Sequence, residues 1–198
     1  RWYLMRRYNP QHPLLPHMWR PHFSHISEVE SYFFVFQGLN WYRDLLLHLR
    51  ERGITAYVTL YHWDLPQSLH EHMGGWHTPN NEAIISEFVK YADLAFSRFG
   101  SLVSTWATFN EPWTFTVSGY SAGNHAPGCA PFNAGAPPCA NGDSAPYIVA
   151  HNVLNAHAAA AARYREAYQP TQRGKLTITL PCEFSLPKAR RDSRRSIS

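Results

Sequence analysis

An α/β chain with a parallel sheet covered by helices is the fold class that three observations predict for this 198-residue sequence. First, helical periodicity alternates with short runs rich in β-branched and aromatic residues, in the order α-β-α-β-α-β. Second, the segments after strands are long (62–78 and 111–146), whereas those after helices are short (100–102 and 169–174). In parallel α/β folds the chemistry sits on loops at the carboxyl ends of strands, so the long loops mark the functional face. Third, 44% hydrophobic and 15% aromatic residues supply a packed core and argue against disorder.

The elements follow in order. Residues 1–30 carry four Pro and four His (His12, His17, His22, His25) at irregular spacing, which fits no helix or strand template and reads as a solvated arm rather than a ligand set. From residue 38, Leu39, Tyr42, Leu46 and Leu49 recur at helical spacing until Gly53, where a left-handed cap is expected. Residues 54–61 read as a buried parallel strand. Thr78 is the expected N-cap of the next helix, with Pro79 at its first position and Ile84, Phe88, Tyr91, Ala92, Ala95 and Phe99 as its buried stripe up to Gly100. A strand over 103–110, a Gly- and Pro-rich stretch to Pro146, an Ala-rich helix over 147–168 stopped by Pro170, and a strand over 176–180 complete the order. Three segments are expected: an irregular 1–36, a domain over 37–187, and a basic disordered tail over 188–198.

The net charge of +4 suggests a polyanion partner only until it is located. Lys188, Arg190, Arg191, Arg194 and Arg195 face Asp192 alone in the tail, so residues 1–187 are neutral and the excess lies in the last eleven residues. That run has no interleaved aromatics or folded platform, which excludes an RNA-binding reading and leaves a solvated end ahead of a localisation or kinase signal. The longest apolar run, residues 32–36, is far short of the ~20 residues of a membrane span. The chain opens at Arg1 without a charged-then-apolar leader, leaving open a removed signal peptide or a piece of a longer product. Its three Cys form no CxxC pair and it has no Asn-x-Ser/Thr sequon.

Two strand ends carry candidate chemistry. At the second lies Thr108-Phe109-Asn110-Glu111-Pro112-Trp113, where Pro112 disfavours helical geometry at Glu111 and is expected to keep it extended on the functional face. A carboxyl beside Phe109 and Trp113 is a candidate general acid, because an apolar surround raises its pKa toward neutrality; the bland alternative is a Glu satisfying loop backbone. At the first strand end lies Tyr61-His62-Trp63-Asp64-Leu65-Pro66. Rings that stack on C–H faces, interleaved with amide and imidazole groups that bond hydroxyls, suit sugar recognition. Alone, His62 reads as a satisfied core histidine; its coincidence with Asn110 and Glu111 on consecutive strand ends favours function.

With Gly74-Gly75-Trp76, Gly119-Tyr120, His125-Ala126-Pro127-Gly128 and Pro146-Tyr147-Ile148-Val149-Ala150-His151-Asn152 in the same order, the segment from about Gln37 to Leu180 resembles family 1 of the glycoside hydrolases, the β-glucosidase family. The resemblance implies a (β/α)8 TIM barrel and retaining hydrolysis of β-glycosides by two carboxylates, with no metal or organic cofactor. It implies that Glu111 is the acid/base, that Asn110 holds the sugar's 2-hydroxyl, that His62 binds a glycone hydroxyl beside Trp63, and that Trp113 is the platform under the leaving group. Cys129 and Cys139 resemble the loop disulfide of plant-type members. If they pair, an oxidising, secreted or vacuolar-type compartment is favoured; if not, they are free thiols. Cys182 has no partner and reads as a small apolar residue.

The departures are equally specific. A barrel of this kind takes about 250 residues, so the chain is expected to supply only part of one, roughly its third to fifth strands. The nucleophile's Thr-Glu-Asn-Gly context is absent, and so are the family's first strand with its sugar-binding Gln and the late Trp and Glu residues of the glycone pocket. The first 30 residues and those after Leu180 do not continue the pattern, as a truncated or frame-altered product would show. The expectation is a retaining β-glycosidase inactive as this chain, or alternatively a non-catalytic sugar-binding or regulatory remnant. Open strands near 54–61 and 176–180 invite self-association.

Overall fold

The computed structural model describes residues 28–130, 139 and 142–181, with side chains from residue 36 onward. Helix α1 (Glu28–Glu51) starts ten residues before the periodicity does, so residues 28–36, expected to be irregular, are helical. The N-terminal prolines end at Pro21 and the next is Pro66, leaving the intervening chain no fixed φ and no missing N–H. Leu39 and Leu46 are buried, Tyr42 packs on Phe99, and Gly53 takes the expected left-handed turn at φ 71°.

Strands β1 (Tyr57–Tyr61), β2 (Thr105–Asn110) and β3 (Lys175–Thr179) form a three-stranded parallel sheet in the order β1-β2-β3. Central β2 buries Trp106, Ala107, Thr108 and Phe109 completely. β1 departs from the buried strand expected: Leu60 and Tyr61 are buried but Tyr57 is 55% exposed, because among the described residues β1 has a neighbouring strand on one side only.

The long segment after β1 holds a short helix, α2 (Gln67–Met73), and a 3-10 turn at Gly75–His77. Gly74 and Gly75 both have positive φ, which lets the chain double back and drive Trp76 fully into the core. Helix α3 (Glu82–Phe99) begins at Asn81, not at the expected Thr78–Pro79 cap. The buried amide of Asn152 explains the difference. Its Nδ2 donates to the carbonyls of Trp76 (2.9 Å) and Thr78 (2.8 Å), and its Oδ1 accepts from Asn81 Nδ2 (2.9 Å). Thr78 is thereby held extended and the helix starts three residues later. The expected α3 stripe is buried in full, joined by Phe96 and Glu87.

Helix α4 (Pro112–Tyr120) lies inside the stretch read as Gly- and Pro-rich, starting directly at Pro112. Helix α5 (Ala145–Ala167) carries the Ala-rich face. Pro170 does not stop it: the break falls at Tyr168, and Pro170 sits in the first turn of helix α6 (Gln169–Gln172), where its missing N–H has no partner to lose. Rings join the layers, with Phe88 of α3 stacked on Phe109 of β2 at 4.4 Å and Phe96 between Trp106 (5.3 Å) and Tyr164 (4.8 Å). Each fully buried ring contributes roughly 1.5–3 kcal/mol of transfer free energy.

Candidate active site

The site begins with an irregularity in β2. Ala107 pairs with Thr177 and Asn110 with Thr179, so three residue steps on β2 oppose two on β3. The extra residue breaks the period of two. Trp106 meets Phe96 of α3, Thr108 meets His157 of α5, and Phe109 meets Phe88 of α3, so all three reach the helix layer. Strict alternation would send Asn110 there as well. The bulge instead turns it to the strand end, where its Nδ2 lies 3.2 Å from His62 Nε2.

His62 and Trp63 follow β1 directly. His62 is exposed, which excludes the core-histidine alternative, and its backbone N–H donates to Asp64 Oδ1 at 3.2 Å. Trp63 is half-buried with φ 73° and donates its indole N–H to the Asn110 carbonyl at 2.8 Å. Its ring also meets His62 at 5.7 Å and His125 at 5.5 Å, both edge-on. Three rings and one amide are thus gathered from two strand ends and one loop. Beneath them Tyr61 is packed against Trp76, Phe109 and Phe115, and burial raises its phenol pKa well above the usual value, leaving it neutral.

Glu111 is not extended as expected. Its φ of 46° and ψ of 63° are left-handed. Pro112 bars the right-handed helical region at residue 111, and the chain must pass from β2 into α4 with no linker, so one left-handed residue makes the turn. Such a conformation costs roughly 1–3 kcal/mol and clusters at functional sites. Its N–H donates to Thr179 of β3 at 2.9 Å and its carbonyl accepts from Phe115 at 3.3 Å, which fixes the backbone on both sides. Among the described residues, two of the three non-glycine positions with positive φ, Trp63 and Glu111, belong to this site. Phe109, expected to shield Glu111, is instead wholly in the core, and Trp113 is 66% exposed on the first turn of α4, outside the His62–Trp63–Asn110 bonds.

His125 went unassigned in the sequence although it lies in the His-Ala-Pro-Gly run, because only the folded loop brings its ring to Trp63. That loop is tied to α4 by Asn124 and His125 N–H groups on the Ser118 carbonyl (3.0 and 3.2 Å). Gly119 permits the contact, since a Cβ there would lie 2.6 Å from the Ala126 carbonyl oxygen. Cys129 and Cys139 form a disulfide with Cα atoms 4.8 Å apart, and Cys139 is buried. Cys182 and the basic tail lie outside the described residues.

A sequence profile described as glycosyl hydrolase family 1 matches residues 34–196, including residues after Leu180 that the motif pattern leaves outside. The chain is 44% identical over 154 residues to β-glucosidase 24 of Oryza sativa subsp. japonica, covering 76% of this chain and 30% of that protein. It is 43% identical over 152 residues to β-glucosidase 1B of Phanerodontia chrysosporium, covering 76% of this chain and 27% of that one. Among solved structures it is similar to a family 1 β-glucosidase of the fungus Humicola insolens in complex with glucose, with a TM-score of 0.70, 40% identity, and 76% of this chain matched to 31% of that one. The parallel sheet and its helices are part of an α/β barrel, and the chain spans about 30% of the length of these relatives.

Proposed function

Because the chain belongs to glycosyl hydrolase family 1, we propose that Glu111 and its neighbours are the acid/base half of a retaining β-glycosidase site for β-glucosides. The observation that carries this reading is the β2–α4 junction. A left-handed Glu111 follows an Asn110 whose amide is bonded to His62 and whose carbonyl is bonded to Trp63.

Retaining hydrolysis uses two carboxyl groups about 5 to 5.5 Å apart. In this reading Glu111 gives its proton to the glycosidic oxygen as the C–O bond breaks, then takes one from the water that releases the sugar. Asn110 holds the 2-hydroxyl, His62 a further glycone hydroxyl, and Trp63 lines the same subsite; the exposed Trp113 stacks under the leaving group. Residues 1–198 contain no Glu-Asn-Gly, so the nucleophile has no counterpart in them. General acid catalysis alone supplies about 10²- to 10⁴-fold. The expectation for this chain by itself is therefore glycoside binding with little or no turnover, which is also what a sugar-binding remnant would show.

The test is nitrophenol release from an aryl β-glucoside, combined with calorimetric titration of the same compound. No release above blank is expected, together with binding that His62→Ala and Asn110→Ala each weaken by about tenfold, as for loss of a well-made hydrogen bond. Release abolished by Glu111→Gln would overturn the inactivity. Binding that is absent, or equal in all three proteins, would overturn the site.

A further inference from the structure

The β2 bulge that aims Asn110 is itself held. Thr108, fully buried, places its Oγ1 2.7 Å from His157 Nδ1 on α5 and 3.3 Å from the Thr177 carbonyl on β3. A bulge leaves part of the ladder unpaired, and Thr177 is the β3 residue at which the register begins to slip. The hydroxyl has one hydrogen. With that hydrogen directed to the Thr177 carbonyl, the hydroxyl accepts from the Nδ1–H tautomer of the imidazole. Burial, and after it the charge of Arg165, lowers the pKa of His157, so the ring is neutral at pH 7.

We propose that Thr108 and His157 are positioning residues for the site: their hydrogen bond holds the bulge of β2 in the register that points the Asn110 amide at His62 and its carbonyl at Trp63. The inference rests on the reading of the site given above, but it concerns geometry and is read without any glycoside. A Thr–His bond that merely stabilised the core would leave the strand end where it is. One that fixes the bulge must move the Asn110 carbonyl when it is lost, and the Trp63 indole N–H, bonded to that carbonyl at 2.8 Å, reports the movement.

The experiment follows the Trp63 indole resonance in ¹H–¹⁵N spectra of the full chain, assigned with Trp63→Phe, alongside thermal melts. Thr108→Val, which keeps shape and loses the hydroxyl, is expected to shift the indole proton upfield and speed its hydrogen exchange about fivefold, as for one lost bond. Thr108→Ser retains the hydroxyl and is expected to leave it in place. His157→Asn presents an amide N–H where Nδ1–H was and also preserves the signal, whereas His157→Leu moves it as Thr108→Val does. If Thr108→Val does not fold, the two His157 variants give the same reading. An indole signal unmoved in Thr108→Val or His157→Leu while the melting temperature falls overturns the proposal. That result leaves the glycoside-binding reading untouched; glycoside binding that is absent, or unchanged in His62→Ala and Asn110→Ala, with the indole shift present does the reverse.

Discussion

Removing the Asn152 side chain should be among the costlier single changes to this chain, although Asn152 touches no ligand-facing group. Asn152 is 1% exposed and makes three hydrogen bonds, two donated to the Trp76 and Thr78 carbonyls and one accepted from Asn81. These join α5 to the turn carrying Trp76 and to the start of α3. At about 1 kcal/mol net per bond, Asn152→Ala loses roughly 3 kcal/mol. The same substitution also gains helix propensity, up to about 0.7 kcal/mol, which would mask part of the loss. Asn155→Ala on the same helix is the control, since among the described residues the Asn155 side chain bonds the exposed His151 at 2.9 Å. Urea denaturation of both variants isolates the network, provided m is unchanged. The expected difference is about 3 kcal/mol, or roughly 6–12 °C in Tm for a chain of this size. A difference below about 1 kcal/mol would refute the claim that this amide organises the loop beneath the site.

Two further outcomes follow. Gly119→Ala would put a Cβ 2.6 Å from the Ala126 carbonyl oxygen, a backbone atom that cannot step aside cheaply. It should cost about 1–3 kcal/mol and perturb the His125 ring resonances while sparing Tyr164; an unchanged His125 would show that the loop does not depend on this contact. For pH, burial first and then a neighbouring charge (His70 and Arg165 respectively) lower the pKa values of His77 and His157 below the ordinary 6.5. The unfolded chain then binds more protons, so their contribution to stability is full above about pH 6.5 and is lost as pH falls from there through the folded-state pKa values. Melts between pH 7.5 and 5.5 should show a falling Tm, with a shallower slope in His157→Asn; equal slopes would count against this.

The alternating element order, the stripe of α3 and the left-handed Gly53 were all legible, because each depends on local spacing and backbone sterics. Family membership was legible too, because the matching runs recur in order at the ends of β1 and β2, in the turn carrying Trp76, and on the helices and loop that follow. Three things were not. Helix α1 reaches back to Glu28 although no apolar period marks its first turns. Thr78 carries every local mark of a cap, yet Asn152, seventy-four positions away, claims its carbonyl. Proline chemistry excluded one conformation of Glu111 without choosing between the two that remained; the direct entry of β2 into α4 chose the left-handed one.

By itself, then, the sequence determined which side chains gather at the carboxyl ends of β1 and β2, since strand order and long loops deliver His62, Trp63, Asn110 and Glu111 to one face. Only tertiary structure decided where they point. A period of two assigns Asn110 to the helix layer with Thr108, and one bulge, written in the pairing with β3, reverses it. Side-chain identity is a local property of the chain, whereas register is a property of two strands at once, and no single strand encodes it.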